Sequence, residues 1–354
     1  MALCHVAASF VVILAGVAPA QPPQEQVDRE RLMSFIRELP AKRSAIGSDE
    51  HRDGLRRTEL LVTDKLKALG LEPRPHEFRW ALPVGAPKEG DAPSEPPKTA
   101  WNNILIDLPG TDLKNEVILV GAHIDAAQRA PGADDNGTGV SALLELARVL
   151  KDQPRRRTVR LAFFNLEEVG LVGSTRYVES LPKADAGGER IVGMVSLEML
   201  GYFSDAPDSQ KSPIPRIEGT FEPPTVGDSI AVVGIARDRY FSQRLIAEMG
   251  KAEPTLKITA ADFLPVPIPD MMRSDHRPFV MAGLPAVMVT DTANFRNPNY
   301  HKETDTVETL DPVRYTLVVR AIAGAVNTLA DGEGWAPNPE PKPEAPSVPK
   351  PASS

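Results

Sequence analysis

In the stretch VGAHIDAAQRAPGADDNGTGV, residues 120–140, an apolar run gives way to His123, Asp125, Asp134 and Asp135, then to a glycine-punctuated helix start. Imidazoles and carboxylates are the nitrogen and oxygen ligands of divalent cations, and a carboxylate can also act as a general base. Held this close beside a buried strand, carboxylates repel one another and lose hydration. The cluster needs a positive charge that the chain does not itself supply. Further donors lie downstream: Glu167 and Glu168 in FFNLEEVG, Glu198 in SLEMLGY, and Tyr300 and His301 in NPNYHKETDT.

The elements that must carry these residues follow from hydrophobic spacing. Leu32, Phe35, Ile36 and Leu39, and then Leu60, Leu61, Leu66 and Leu69, keep helical periods over residues 27–70. Strands are expected at Asn103–Leu108, Val117–Ala122, Thr158–Asn165, Ile191–Leu197, Ser229–Ile235 and Leu284–Thr290, and helices at Gly139–Leu150, Val169–Leu181, Tyr240–Lys251 and Pro312–Leu329. Near-continuous apolar strands alternating with amphipathic helices indicate an α/β fold. Its central sheet is mixed and mostly parallel, with helices on both faces. His123, Glu167, Glu168, Glu198 and His301 all fall just past the ends of such strands, the edge where open α/β sheets build their sites.

The charge sum selects a metal count. Asp135, Glu168 and Glu198 bring three negative charges, and His123 and His301 bring neutral imidazoles. Two divalent cations and one hydroxide balance that sum, whereas one cation leaves the site negative at short range. Nitrogen and oxygen donors without sulfur suit zinc. Cys4 is the only cysteine, which removes both a disulfide within the chain and a thiolate metal site.

Bulk properties narrow the remaining classes. The chain has 354 residues, 42% of them hydrophobic, and a net charge of −8 without a basic stripe, which excludes a nucleic-acid partner. Residues 1–20 carry an apolar run ending in Ala-Pro-Ala and read as a signal peptide, although the segment has no Lys or Arg. The run is too short for stable membrane insertion, so the mature chain is expected to be secreted or periplasmic. Residues 82–99 are Pro-rich and expected to form an exposed loop, and residues 333–354 a disordered Pro-rich tail. A single domain over 27–332 is expected between the leader and the tail.

GAHID (121–125), PGADDNGTGV (131–140), FFNLEEVGLVGS (163–174), SLEMLGY (196–202), RSDHRPF (273–279) and NPNYH (297–301) together resemble the M28 family of dizinc metallopeptidases, which includes aminopeptidases. The resemblance implies the zinc-exopeptidase type of three-layer α/β sandwich, two zinc ions per chain and a peptide substrate. It assigns His123 and Glu198 to one zinc, Glu168 and His301 to the other, and Asp135 to both. It makes Glu167 the general base on a water bridging the metals, Tyr300 a donor to the developing oxyanion, and Asp125 the residue that orients His123 from behind. It also implies a cis Asp135–Asn136 peptide. Well-studied aminopeptidases of this family usually have Asp where this chain has Glu198.

Competing readings remain open at this level. Asp134 precedes a helix, where Asp ordinarily acts as an N-cap. His276, in SDH, competes with His301, and the adjacent Tyr300 favours His301. Met199 is either a pocket residue or core, and Phe203–Gly227 reads as a surface loop. Glutaminyl cyclases, acyltransferases with one zinc and fewer ligands, share this scaffold, as do relatives without catalytic function. The presence of every ligand, His123 included, argues against both. GDSIA (227–231) lacks the second glycine of a nucleophile elbow, which disfavours a serine hydrolase.

Overall fold

A computed structural model describes residues 21–81, 98–182 and 188–332. The expected signal peptide, the tail and most of the Pro-rich 82–99 segment lie outside these residues. Two helices, α1 (Arg29–Glu38) and α2 (Asp49–Ala68), precede β1 (Arg74–Ala81), β2 (Lys98–Leu108) and β3 (Leu113–His123). Then come α3 (Gly139–Leu150), β4 (Arg157–Phe164), α4 (Val172–Ser180), β5 (Arg190–Glu198) and β6 (Ile230–Val233). The chain continues through α5 (Arg239–Ala252), β7 (Ile258–Ala261), α6 (His276–Met281), β8 (Ala286–Thr290) and α7 (Pro312–Asp331). The eight strands form one sheet in the order β1-β2-β4-β3-β5-β8-β6-β7. Its centre, β4-β3-β5-β8, is entirely parallel. Antiparallel pairs appear only towards the flanks, β1 with β2, β2 with β4, and β6 with β8. The sequence signal missed β1, β7 and the short α6, whose apolar content is low or whose length is only a few residues.

Strand alternation divides the core. Ile118, Val120 and Ala122 of β3 and Val159, Leu161 and Phe163 of β4 face a large cluster shared with α1, α2, α3, α5 and α7. Their neighbours Val117, Leu119, Ala162 and Phe164 face the opposite side, where Tyr177 of α4 and Phe279 of α6 cover them. Period-2 side chains with both faces apolar are what a strand covered on both sides requires. Among the described residues no helix is long and apolar enough to cross a membrane.

One packing contact bears directly on site placement. Phe241 of α5 is fully buried, and a Cβ added at Gly193 of β5 would lie 2.3 Å from its ring. The ring therefore fixes the spacing between α5 and the strand that ends at Glu198. Phe241→Ala is expected to lower unfolding free energy by about 3–5 kcal/mol in urea titrations followed by circular dichroism. A loss near zero would show that the contact does not anchor β5.

Candidate metal centre

Each predicted ligand sits at the carboxyl end of the parallel core. His123 is the last residue of β3 and Glu198 the last of β5, while Glu167 and Glu168 follow β4 by three and four residues. Asp135 lies in the turn leading to α3, and His301 in the segment after β8. Because β4, β3, β5 and β8 are successive neighbours in the sheet, these ends converge on one spot. The Asp135–Asn136 peptide is cis. Leu166, Met199 and His301 are non-glycine residues with φ of 62°, 48° and 58°. Such left-handed backbone costs of order 1–3 kcal/mol per residue and persists where the surroundings enforce it.

Asp135 stands at the centre. Its Oδ1 lies 3.3 Å from His123 Nε2, which is also 3.5 Å from Glu198 Oε2. Its Oδ2 lies 3.1 Å from His301 Nε2, which is also 3.3 Å from Glu168 Oε2. One carboxylate thus faces two imidazole–carboxylate pairs, one on each oxygen. Ligand atoms of His123, Asp135 and Glu168 all lie within 4.8 Å of one another, as do those of His123, Glu167 and Glu198. His123 Nε2 and Glu168 Oε1 are buried without a hydrogen-bond partner among the described residues. Buried polar atoms of that kind ordinarily find partners. Two orphaned donor atoms aimed into a cluster of imidazoles and carboxylates fit divalent cations.

Hydrogen bonds between loops hold this arrangement. The Asp125 carboxylate accepts the Glu167 amide on Oδ1 and the Glu168 amide on Oδ2, each at 3.1 Å, tying the end of β4 to that of β3. His123 Nδ1 lies 3.2 Å from the Asp125 carbonyl and 3.4 Å from Asp125 Oδ1. With its proton on Nδ1, the ring presents an Nε2 lone pair to the cluster. Asn136 donates to the Leu197 carbonyl (2.8 Å) and accepts the Met199 amide (3.1 Å), so the Asp135 turn is pinned to the end of β5. Asp305 accepts the amides of Asp134 and Asp135 at 2.9 and 3.1 Å. From beneath, the buried Arg43 guanidinium donates to the carbonyls of Ile124, Pro131 and Gly132. Glycine is required at 132, where φ is 68° and a Cβ would come within 2.4 Å of the Asp135 carbonyl.

The electrostatics record the crowding. Burial pushes Glu167 well above the usual carboxylate range, helped by Glu198, Glu168 and Asp275 and opposed by His123. Burial likewise raises Glu168, with Asp135 adding to it. Burial raises Asp275 to about 7, with Glu198 and Asp125 nearby. Against its burial, Asp135 is held below its ordinary value by His123 and His301. His123 is raised despite burial, because Glu167 and Glu198 outweigh it.

Several neighbours of the cluster lie within the quoted motifs but outside the ligand set. Ser274 donates to Glu198 Oε2 at 2.7 Å. Arg273 donates to the Tyr300 hydroxyl oxygen at 2.7 Å, and the Tyr300 ring stacks 3.8 Å from that of His301. Asp134 does not cap α3: its oxygens accept from Gly201 N (2.9 Å) and Asn297 Nδ2 (2.8 Å), because the turn before the helix buries it. His276 is buried against the Met271 carbonyl at 2.8 Å and does not compete with His301. Met199 is fully buried and lines neither cavity at the site.

Two cavities meet at the cluster. A cleft of about 620 Å³ is lined by Asp135, Glu167, Glu168, Glu198, Tyr300 and His301. A narrower cavity of about 110 Å³ is walled by apolar side chains, Ile214, Phe221, Val233, Met271 and Met288 among them, and also touches Glu198 and Tyr300. Ile214, Phe221 and Pro224 come from the segment expected to be a surface loop, so part of that segment builds a wall of this cavity. Its polar composition conceals a few apolar residues that find partners only in the fold.

Comparison with known proteins agrees with this geometry. The sequence model of peptidase family M28 matches residues 103–326. The uncharacterized protein YfbL of Escherichia coli is 34% identical over 238 residues, 65% of this chain and 70% of that protein. The probable lipoprotein aminopeptidase LpqL of Mycobacterium tuberculosis is 32% identical over 241 residues, 62% of this chain but 43% of that protein. Among solved structures, the zinc aminopeptidase BSAP of Bacillus subtilis superposes with a TM-score of 0.64 at 17% identity, over 87% of this chain and 97% of that one. A glutaminyl cyclase of Fimbriiglobus ruber shares the fold at a TM-score of 0.59 and 19% identity, over 85% and 95% of the two chains. The chain is an α/β protein of the zinc-aminopeptidase fold. It belongs to peptidase family M28.

Ligands must shed protons before they bind a cation, so affinity should fall as pH falls. Between about pH 7.5 and about pH 5, zinc affinity measured by competition with a chelating dye is expected to weaken by at least about tenfold. An affinity independent of pH would mean that Glu168 and His123 are not ligands.

Proposed function

We propose that the chain is a dizinc aminopeptidase that releases N-terminal residues from peptides. The observation that carries this reading is the Asp135 carboxylate, with one oxygen facing His123 and Glu198 and the other facing His301 and Glu168. Under this reading His123, Asp135 and Glu198 hold one ion, and Asp135, Glu168 and His301 hold the other. Two bound zinc ions would acidify water towards neutrality and polarise a carbonyl group. Glu167, raised by burial and lining the same cleft, takes the proton of the attacking water and passes it to the leaving amine. Because Arg273 donates to the Tyr300 oxygen, the phenol proton is free to point elsewhere, towards the carbonyl oxygen as it gains charge. The N-terminal side chain enters the apolar cavity, which places the substrate amine beside Glu198.

The solved neighbours include aminopeptidases and cyclases, so fold alone does not separate the two reactions. The two-sided donor set favours the hydrolase. We further infer a peptidase domain over residues 27–332 and export of the mature chain. The composition of residues 1–20 and the name of the lipoprotein relative LpqL support export.

Two measurements test the reading. The zinc-loaded chain is expected to release nitroaniline from leucine p-nitroanilide and not from its N-acetyl derivative; equal rates on both would remove the aminopeptidase assignment. Glu167→Gln is expected to keep two zinc ions per chain by elemental analysis while kcat falls by about 10²- to 10⁴-fold. Loss of metal with retained turnover would exchange the roles of Glu167 and Glu168.

A further inference from the structure

The two cavities share Glu198, Arg273 and Tyr300, and then diverge. If the N-terminal side chain occupies the apolar one, the residue that leaves must lie in the rest of the larger cleft. That part is not bordered by the metal-centre acids alone. Ile268, Met272, Arg273, Arg277 and Met281 line it as well. Arg277 is on α6, is exposed, and belongs to the larger cleft but not to the apolar cavity.

The two arginines of this cleft differ in their commitments. Arg273 donates to Asn294 Oδ1 at 2.8 Å and to the Tyr300 oxygen, and lies 3.7 Å from Asp270. The Arg277 side chain has no hydrogen bond or ion pair among the described residues. An exposed arginine on a solvated face is ordinary. This one lines the cleft that also contains Glu167, Glu168 and His301, and a guanidinium without an acidic partner there can hold a carboxylate in a forked pair. Met281, beside it in the cleft, is 71% exposed and offers apolar contact next to the charge.

We propose that Arg277 binds a carboxylate on the leaving residue, so that the enzyme favours dipeptides and other short peptides that place an anion one residue beyond the scissile bond. This rests on the aminopeptidase reading above. The anion has two sources with one chemistry, the α-carboxylate of a dipeptide or the side chain of an acidic second residue. The α-carboxylate is the source present in every dipeptide.

The test compares four substrates, Leu-Ala, Leu-Ala-amide, Leu-Asp-amide and Leu-Asn-amide, with the full zinc-loaded chain and its Arg277→Ala and Arg277→Glu variants. An exposed charge-assisted pair should give the preferred acid an advantage of about three- to tenfold in kcat/KM over its neutral partner, expressed in KM rather than kcat. Arg277→Ala is expected to erase that advantage and Arg277→Glu to reverse it, as substitutions at an exposed position that leave the fold intact. A preference for Leu-Ala over its amide assigns the α-carboxylate, and one for Leu-Asp-amide over Leu-Asn-amide assigns the side chain; either supports the inference. Equal rates within both pairs, or an acid preference that survives Arg277→Ala, overturn it and leave the aminopeptidase reading standing. Absence of leucine release from all four removes that reading and this inference together.

Discussion

Negative charge is concentrated at one edge of the central sheet, and the rest of the molecule is arranged around its cost. Asp135, Glu167, Glu168 and Glu198 line one cleft, and Asp125, Asp134, Asp275, Asp291 and Asp305 are buried behind it. Arg43 and Arg296 are buried cations beside them; burial pulls both pKa values down, against Asp305 and Asp135 at Arg43 and against Asp291 and Asp134 at Arg296. Burial and neighbouring carboxylates raise Asp305 to about 7 and push Asp291 well up. Part of the crowding is absorbed by backbone amides, which the carboxylates of Asp125 and Asp305 accept in pairs. Among the described residues His123 Nε2, Glu168 Oε1 and both Asp275 oxygens stay without a hydrogen-bond partner, and the first two face the cluster as donor atoms that fit divalent cations.

The loops at this edge are held without covalent staples, because Cys4 is the only cysteine in the chain. Side-chain hydrogen bonds take that role. Asn136 joins the Asp135 turn to the end of β5, and the Thr138 hydroxyl donates to the Asp134 carbonyl at 2.8 Å while accepting the Leu200 amide at 3.0 Å. Tyr315 of α7 donates to the Thr138 carbonyl at 2.6 Å, so the closing helix braces the same turn. These bonds are buried, where leaving one partner unsatisfied costs about 1–3 kcal/mol. A site with left-handed backbone at Leu166, Met199 and His301 is kept in place by such over-determination.

The sheet's asymmetry shapes what the site can receive. On the side of β6 and β7, side chains such as Ile214, Val233 and Met288 leave an apolar cavity that opens at Glu198. Towards α6 the cleft is wider and carries Arg273 and Arg277. The acids thus lie between a narrow cavity with apolar walls and a wider cleft, and Arg277 belongs to the cleft alone. Under the proposed function, that difference in surroundings, rather than the acids alone, would give a bound peptide a direction.

Much of this was legible before any coordinates. Apolar strands identify the parallel core, two of them ending in His123 and Glu198, since continuous hydrophobicity needs cover on both faces. The ligand types, the crowding at Asp134 and Asp135 and the EE pair after β4 are local features, and local features survive in a sequence. Other contributions have no local pattern. Arg43 lies 92 positions before Asp135 and Asp305 lies 170 after it, and a lone Arg or Asp at such distances is indistinguishable from a surface charge until the chain folds. The same holds for the apolar residues of the 203–227 segment, which lack periodicity because they pack as isolated side chains against a wall made elsewhere. Residue chemistry and strand periodicity therefore determined which groups could act and along which edge. Tertiary structure alone decided which oxygen faces which imidazole, and where the apolar walls and Arg277 stand relative to the acids, because those depend on distances between segments that share no sequence neighbourhood.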